Sequence, residues 1–365
     1  MNIHKEIMAG SEKQIVRKFE QAQDALVLQA SDLSLETIAT MVDSSAIDVG
    51  PQFQRRDRWD VSRQSALIES FLLNIPVPPV YLAEEEFGSY SVIDGKQRIT
   101  AIRDFMRNQY ALAGLERFPD IEGYRNKGLP ASLRNALSVR PYIRAITILR
   151  QSDTETKYEV FHRLNSAGQP LNAQEIRNVI YRGDLNDLIM DLSANRFLQS
   201  QLKIRDSRSP AYRAMSDVEM VLRFLTLRET WQTFSGDLRS SMDHFMERHA
   251  KIASHSLAEH SNAFQRSISA CEALWGSKAF KRPDRDGWRD QMLAGMFDAQ
   301  MVAVGLLTDE QIKSLALRRD AVLQRTRELF DDPSFEAAVR VATNTPSRIA
   351  LRITAMKMTL VAVAS

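Results

Sequence analysis

The sequence has a single cysteine, no long apolar run and almost no net charge. The lone thiol, Cys271, excludes an intrachain disulfide or a site with several thiolate ligands, and its apolar neighbours predict a core position. No run of about 18 apolar residues and no apolar leader is present, so we expect a soluble, cytoplasmic protein without a membrane partner. Lys plus Arg total 48 and Asp plus Glu total 46, and the formal charge of +2 argues against a uniformly basic nucleic-acid coat.

The residues present are those of a globular protein with a sizeable core. Its 365 residues, 44% of them hydrophobic, suffice for one large or two ordinary domains. Apolar spacing predicts an amphipathic helix over 11–29. Strand-like runs at 78–83, 90–93 and 142–149 alternate with helices, and only helical periodicity follows. We therefore expect an α+β protein, with a mixed α/β region followed by a larger all-α region.

The segment 92–100 is the most informative candidate for a binding site. Asp94 ends an apolar strand, Gly95 allows a turn, and three polar residues fill the first turn of a helix. These are Lys96, Gln97 and Arg98. A helix N-terminus favours anions, so the segment suits a phosphate group, and Asp94 is a candidate ligand of hydrated Mg²⁺. The alternative is an aspartate cap followed by ordinary surface charges.

Two further polar clusters lie on either side of this segment in the sequence. Three arginines lie beside two aromatic residues in 50–59, and a predicted helix ends at Asn165, before a loop with Gly168. Each cluster alone is also explained by a helix cap and a solvated surface.

Four motifs occur in a fixed order along the chain. They are Phe53-Gln54-Arg55 with Trp59, Leu67-Ile68-Glu69-Ser70 with Ile75-Pro76-Val77-Pro78-Pro79, Asp94-Gly95-Lys96-Gln97-Arg98, and Phe161 to Asn165. Together they resemble the N-terminal module of GmrSD-type modification-dependent restriction proteins, over about residues 33–182. The family's usual glutamine is replaced by Lys96 in this chain.

The resemblance implies a fold, a site and a context. It implies a ParB/sulfiredoxin-like nucleotide-binding domain, which we place over 33–151. Apolar periodicity places an N-terminal helix within 1–32 and an α-helical domain over 152–365, for DNA sensing or partner docking. Several relatives hydrolyse nucleoside triphosphates, in bacterial systems that sense modified or foreign DNA.

The same resemblance, together with the local chemistry, assigns roles to residues. Asp94 and Arg98 are the predicted catalytic residues, and Asp94 is the predicted Mg²⁺ ligand. Contacts to a nucleoside triphosphate are expected from Gln54, Arg55, Gly95, Lys96, Gln97, Thr100, Arg163 and Asn165.

No HNH-type nuclease is recognised in the late sequence. Its four histidines are His244, His249, His255 and His260. Spacings of five and six residues put neighbouring histidines on different faces of a helix, unlike the i, i+4 pair of a helical metal site. We therefore expect solvated helix residues.

Two basic stretches are candidates for DNA contact. The predicted contacts are Lys203, Arg205 and Arg208 in the first, and Lys278, Lys281, Arg282 and Arg285 in the second. The second stretch also contains Phe280 and Trp288, which could stack on a base. A solvated loop between helices explains both stretches equally well.

The leading interpretation is a nucleotide-binding, NTP-hydrolysing regulatory component of an anti-phage or restriction system, which couples DNA sensing to an effector. The alternative is a non-enzymatic DNA-binding adaptor whose nuclease partner is a separate chain. DNA cleavage by this chain is a third alternative. The nucleotide, the DNA feature, the partner and the oligomeric state, including a homodimer, stay open.

Overall fold

The computed structural model describes residues 14–21, 23–49, 59–152, 156–157, 160, 163–164, 172–250, 253–285 and 287–365. Internal contacts divide the chain into two compact units, Met1–Ile180 and Tyr181–Ser365. The sequence places the start of the helical domain at residue 152, whereas internal contacts divide the chain after Ile180.

The first unit is built on one mixed five-stranded sheet. Its strands are β1 (Leu28–Ser34), β2 (Ile47–Asp48), β3 (Val80–Glu86), β4 (Ser89–Asp94) and β5 (Tyr142–Ile148). Their order is β1-β5-β3-β4-β2. The β1–β5 and β3–β4 pairs are antiparallel, whereas the β3–β5 and β2–β4 pairs are parallel. The predicted α+β class is confirmed.

Helices pack on both faces of this sheet. They are α1 (Leu35–Asp43), α2 (Val61–Leu72), α3 (Lys96–Met106), α4 (Ala131–Val139) and α5 (Ala173–Ile180). Successive strand residues point to opposite faces, so Leu82 and Val92 join the larger core with α1 and α3. Ala83 and Ile93 pack on the other face against Ile176 of α5.

The prediction for the N-terminal helix is wrong at its end. Residues 14–21 and 23–24 are helical, but Leu28–Ser34 forms β1, which overlaps the predicted helix over 11–29. β1 pairs with β5 from Leu28 opposite Ile148 to Ser34 opposite Tyr142. This pairing joins segments more than 100 residues apart, and no local periodicity reports it.

The second unit is built from helices and contains no β-strand among its described residues. Its helices are α6 (Asp184–Ser193), α7 (Arg196–Gln201), α8 (Pro210–Arg213), α9 (Ser216–Thr230), α10 (Leu238–Arg248), α11 (Ser254–Trp275), α12 (Ala294–Gly305), α13 (Asp309–Leu317), α14 (Arg319–Glu328), α15 (Pro333–Arg340) and α16 (Pro346–Ala364). Within the described part of the chain, no helix combines the length and apolarity needed to cross a bilayer.

Helix α12 lies at the centre of this unit. Its residues from Gly295 to Val304 are all buried, as expected of a helix surrounded by other helices. α16, α11 and α9 pack around it. Cys271 on α11 is fully buried, and burial raises the pKa of its thiol, which confirms a core position for the only cysteine.

Candidate functional site

The candidate site is a strand–turn–helix unit. β4 ends at Asp94, Gly95 takes a left-handed conformation with φ of 95°, and α3 begins at Lys96. The helix forms here because Ile99, Ile102 and Phe105 recur at helical spacing and are all fully buried.

The turn leaves no room for a side chain at Gly95. A Cβ atom built on Gly95 would lie 2.5 Å from Cγ1 of Val80 on β3. Only glycine tolerates both the positive φ and the close contact with Val80. The first turn of α3 is thereby fixed against the sheet, with no side-chain cap and no acidic residue in that turn.

An ion pair joins the two predicted catalytic residues. Nη2 of Arg98 lies 2.7 Å from Oδ2 of Asp94, and Nη1 of Arg98 donates to the carbonyl of Pro78 at 2.9 Å. The Arg98 side chain is 13% exposed and that of Asp94 is 37% exposed. The ion pair therefore fixes both side chains beside the turn, and the carboxylate of Asp94 stays partly exposed to solvent.

Gln97 connects this turn to the segment before α2. Its Oε1 accepts a hydrogen bond from the backbone N–H of Trp59 at 3.1 Å. Gln64 donates to the carbonyl of Trp59 at 2.8 Å, and the guanidinium of Arg63 lies 4.7 Å from the centre of the Trp59 ring. The structure thus brings Trp59 of the first motif beside the Asp94–Arg98 motif.

The other residues predicted to contact the nucleotide lie partly inside and partly outside the described residues. Lys96 and Thr100 are half-buried on the first turns of α3, and Arg163 is exposed. Gln54, Arg55 and Asn165 lie outside the described residues, so their predicted roles stay predictions.

Residues 38–182 match the sequence model of a family described as the N-terminal domain of GmrSD restriction endonuclease. This segment is similar to that family's N-terminal domain, and we refer to it as the GmrSD-type module. The resemblance predicted from the motifs is confirmed. No curated protein and no solved structure matches the chain. The family indicates a component of a restriction or defence system.

Glu69, a residue of the second motif, is buried within the GmrSD-type module. Its carboxylate is 6% exposed and accepts hydrogen bonds from the N–H groups of Arg117 at 2.6 Å, Phe118 at 3.0 Å and Glu116 at 3.2 Å. Burial alone raises the pKa of Glu69, but these three N–H groups outweigh it and lower the pKa. Glu69 thus fixes a loop and has a structural role.

Beyond the GmrSD-type module, the two basic stretches meet at one acidic residue. Lys203 and Lys281 lie 3.0 Å and 2.7 Å from the carboxylate of Asp290. Their hydrogen bonds, that of Lys281 first, lower the pKa of Asp290 to about 2. The sequence predicted the stretches separately, and the structure places them together within the second unit.

Not every basic residue of these stretches is available to DNA. Arg282 is paired with Glu336 at 3.0 Å and its side chain is 15% exposed, and Lys278 is half-buried. The side chains presented to solvent are those of Lys203, Arg205, Arg208 and Arg285. Arg208 forms an ion pair with Asp206.

The suggestion that Phe280 stacks on a base is wrong. Its side chain is fully buried and packs against Phe197 and Phe297. Trp288 is half-buried, and the guanidinium of Arg327 lies 5.7 Å from its ring centre. Phe280 therefore belongs to the hydrophobic core of the second unit and is not available to stack on a base.

The prediction of four solvated histidines is correct for two of them. His244 and His255 are exposed, His249 is half-buried, and His260 is 5% exposed. Burial and then the neighbouring His249 lower the pKa of His260. Spacing within one helix did not indicate this arrangement, because His249 and His260 come together from different segments of the chain.

Proposed function

We propose that the GmrSD-type module binds a nucleoside triphosphate at the N-terminus of α3, as the regulatory part of a restriction or anti-phage defence system. The observation that carries the proposal is the charge at that end of the helix. Lys96 and Arg98 lie in a first turn without any acidic residue, which the helix dipole disfavours. A phosphate group bound there places a negative charge at the positive end of the helix dipole, next to two basic side chains.

The residues present fit a phosphate group with Mg²⁺. Lys96, Arg98 and the N–H groups of the first turn bind phosphate oxygens, and Thr100 contacts the ligand one turn further on. Asp94 supplies the single carboxylate that Mg²⁺ commonly takes from a protein, shared with Arg98. When bound, Mg²⁺ neutralises phosphate charge and favours hydrolysis. A ParB/sulfiredoxin-like nucleotide-binding domain over 33–151 is part of the same proposal.

Gln97 has a positioning role in this proposal and is not required to contact the phosphate groups. Its hydrogen bond to Trp59 holds the segment before α2 against the phosphate-binding turn. We expect Gln54 and Arg55, which precede Trp59 in the first motif, to contact the nucleotide as well. Arg163 and Asn165 complete the predicted set from the fourth motif.

Calorimetric titration of the purified protein with each of the four ribonucleoside triphosphates and Mg²⁺ tests binding. We expect at least one nucleotide to bind, and Lys96→Ala with Arg98→Ala to weaken it at least about tenfold, since each lost charge-assisted hydrogen bond costs about 1.5–3 kcal/mol. Arg103→Ala, which removes one charge from the far half of α3, is the control. Absence of binding to the folded wild-type protein contradicts the proposal.

Hydrolysis needs a separate measurement. We expect phosphate release in the presence of DNA to be lost in Asp94→Ala while nucleotide binding persists without Mg²⁺. Turnover at the wild-type rate in the Asp94→Ala, Arg98→Ala double variant would show that hydrolysis takes place elsewhere.

A second candidate function is that of a DNA-binding adaptor with a separate nuclease or effector partner. The exposed side chains of Arg285 and Arg289 favour it, and Arg289 also lines a cavity of about 370 Å³. Phosphate contacts make DNA affinity fall steeply with salt. We expect Arg285→Ala with Arg289→Ala to reduce the log–log salt slope by about 2, roughly one per lost contact. Arg325→Ala, on α14, should leave the slope unchanged.

A further inference from the structure

Three side chains from three helical segments of the second unit meet at one point. Glu229 lies at the end of α9, His249 directly follows α10, and His260 lies on α11. One carboxylate oxygen of Glu229 and one ring nitrogen of each histidine all lie within 4.8 Å of one another. Nε2 of His249 lies 3.3 Å from Oε1 of Glu229.

The buried member of this cluster has an unsatisfied polar atom. His260 is 5% exposed, and its Nδ1 has no hydrogen-bond partner among the described residues. Buried polar atoms are normally paired, so an orphaned ring nitrogen on a histidine that belongs to such a cluster needs a physical reason. A cation that accepts lone pairs supplies one.

We propose that Glu229, His249 and His260 bind one divalent first-row transition-metal ion, with Zn²⁺ as the ion that this ligand set suits best. Two imidazole nitrogens and one carboxylate oxygen are a common three-residue ligand set for Zn²⁺, with a fourth position left for water. Mg²⁺ and Ca²⁺ fit poorly, because both prefer oxygen ligands throughout. The site is independent of the nucleotide site of the GmrSD-type module.

The distances allow the cluster to close on an ion by side-chain movement. Ligand atoms at 2.0–2.1 Å from a tetrahedral Zn²⁺ lie about 3.3 Å apart, which the Glu229–His249 pair already matches. The remaining ligand atom has to approach by about 1.5 Å at most to reach that geometry.

The surroundings hold the three ligands in place. Phe245 packs against both imidazoles, with ring centres 4.5 Å from His249 and 5.6 Å from His260. Nη2 of Arg248 lies 3.4 Å from Oε2 of Glu229, the oxygen opposite the closest His249 contact. Such outer partners orient the ligands of a metal site. A bound ion would link the ends of α9 and α10 to α11.

Metal titration of the untagged full-length protein, stripped with chelator, tests the site. Competition with a chromophoric chelator should show one equivalent of Zn²⁺ bound per chain, and Co²⁺ should give the visible absorption of a tetrahedral site. We expect His249→Ala and Glu229→Gln to weaken Zn²⁺ binding at least about tenfold, since even outer-shell changes cost 10–100-fold. His244→Ala and His255→Ala, in exposed positions on α10 and α11, should bind as the wild type does.

Thermal unfolding distinguishes a loss of metal binding from a loss of folding. Glu229 and His249 are not fully buried, so we expect both variants to fold. Excess Zn²⁺ should raise the melting temperature of the wild type and leave that of His249→Ala unchanged. Absence of metal uptake by the folded wild type overturns the proposal. So does an equal loss of affinity in the His244→Ala and His255→Ala controls.

Discussion

At the scale of single residues, the second unit depends on a carboxylate shared by two buried arginines. Arg223 donates from Nε and Nη2 to the two oxygens of Asp298 at 2.6 Å and 2.7 Å, and Arg352 also donates to Asp298. Nη1 of Arg352 donates to the carbonyls of Ala338 and Thr343. All three charged side chains are at most 5% exposed. The network connects α9, α12 and α16 with α15 and the segment after it.

We expect Asp298→Asn to lower the free energy of unfolding of the second unit by about 3–5 kcal/mol, because it leaves two buried guanidiniums without a counter-charge. Urea unfolding followed by circular dichroism measures the change. Glu328→Gln, which breaks an exposed pair with Arg325, is the control and should leave the transition in place. A small effect of Asp298→Asn would mean that water reaches the two arginines.

Glu69 gives a prediction about pH. Its pKa is lowered in the folded protein, so its stabilising effect is full above the ordinary value of 4.5 and is lost as the pH falls through the lower folded value. Glu69→Gln places an amide NH₂ against backbone N–H donors. We expect it to destabilise the first unit by about 1–3 kcal/mol at pH 7, with a smaller difference from wild type below pH 4.5. Urea unfolding at a series of pH values measures this, and a pH-independent difference contradicts it.

At the scale of elements, the turn between β4 and α3 depends on two properties of Gly95. Gly95→Ala combines a positive φ, which costs about 1–2 kcal/mol for an alanine, with a clash against Val80 worth about 1–3 kcal/mol more. Gly88→Ala is the matched control, because Gly88 has φ of 79° but no atom within 4 Å of the added Cβ. We expect Gly95→Ala to be the less stable variant in thermal unfolding. Equal melting temperatures would show that β3 moves to accommodate the methyl group.

The same elements show how far a sequence can predict this structure. β3, β4, β5 and α3 follow from local patterns, since apolar residues alternate in the strands and recur at helical spacing from Ile99 to Phe105. The Asp94–Arg98 motif is local as well, so its position at a helix start was predictable. β1 was not, because its partner β5 is distant in the sequence. The Glu229–His249–His260 cluster was missed for the same reason, since its members come from three helical segments.

At the scale of the whole molecule, α5 belongs with the sheet and not with the helices that follow it in the sequence. Ile176 on α5 is 1% exposed and packs with Ala83, Ile93 and Ile148 of three different strands. The sequence-based boundary after residue 151 separates α5 from these strands. A fragment ending there would expose one apolar face of the sheet to water.

We therefore expect the fragment 1–182 to be more stable than the fragment 1–151 by at least about 2 kcal/mol, the usual lower cost of losing one large buried aliphatic side chain. Urea unfolding of the two purified fragments measures the difference. Ile176→Ala in 1–182 should reproduce a large part of it, because the substitution removes the side chain that covers Ile93 and Ile148. If 1–151 unfolds at the same urea concentration as 1–182, α5 contributes nothing to the sheet, and the division between the two units lies earlier in the chain.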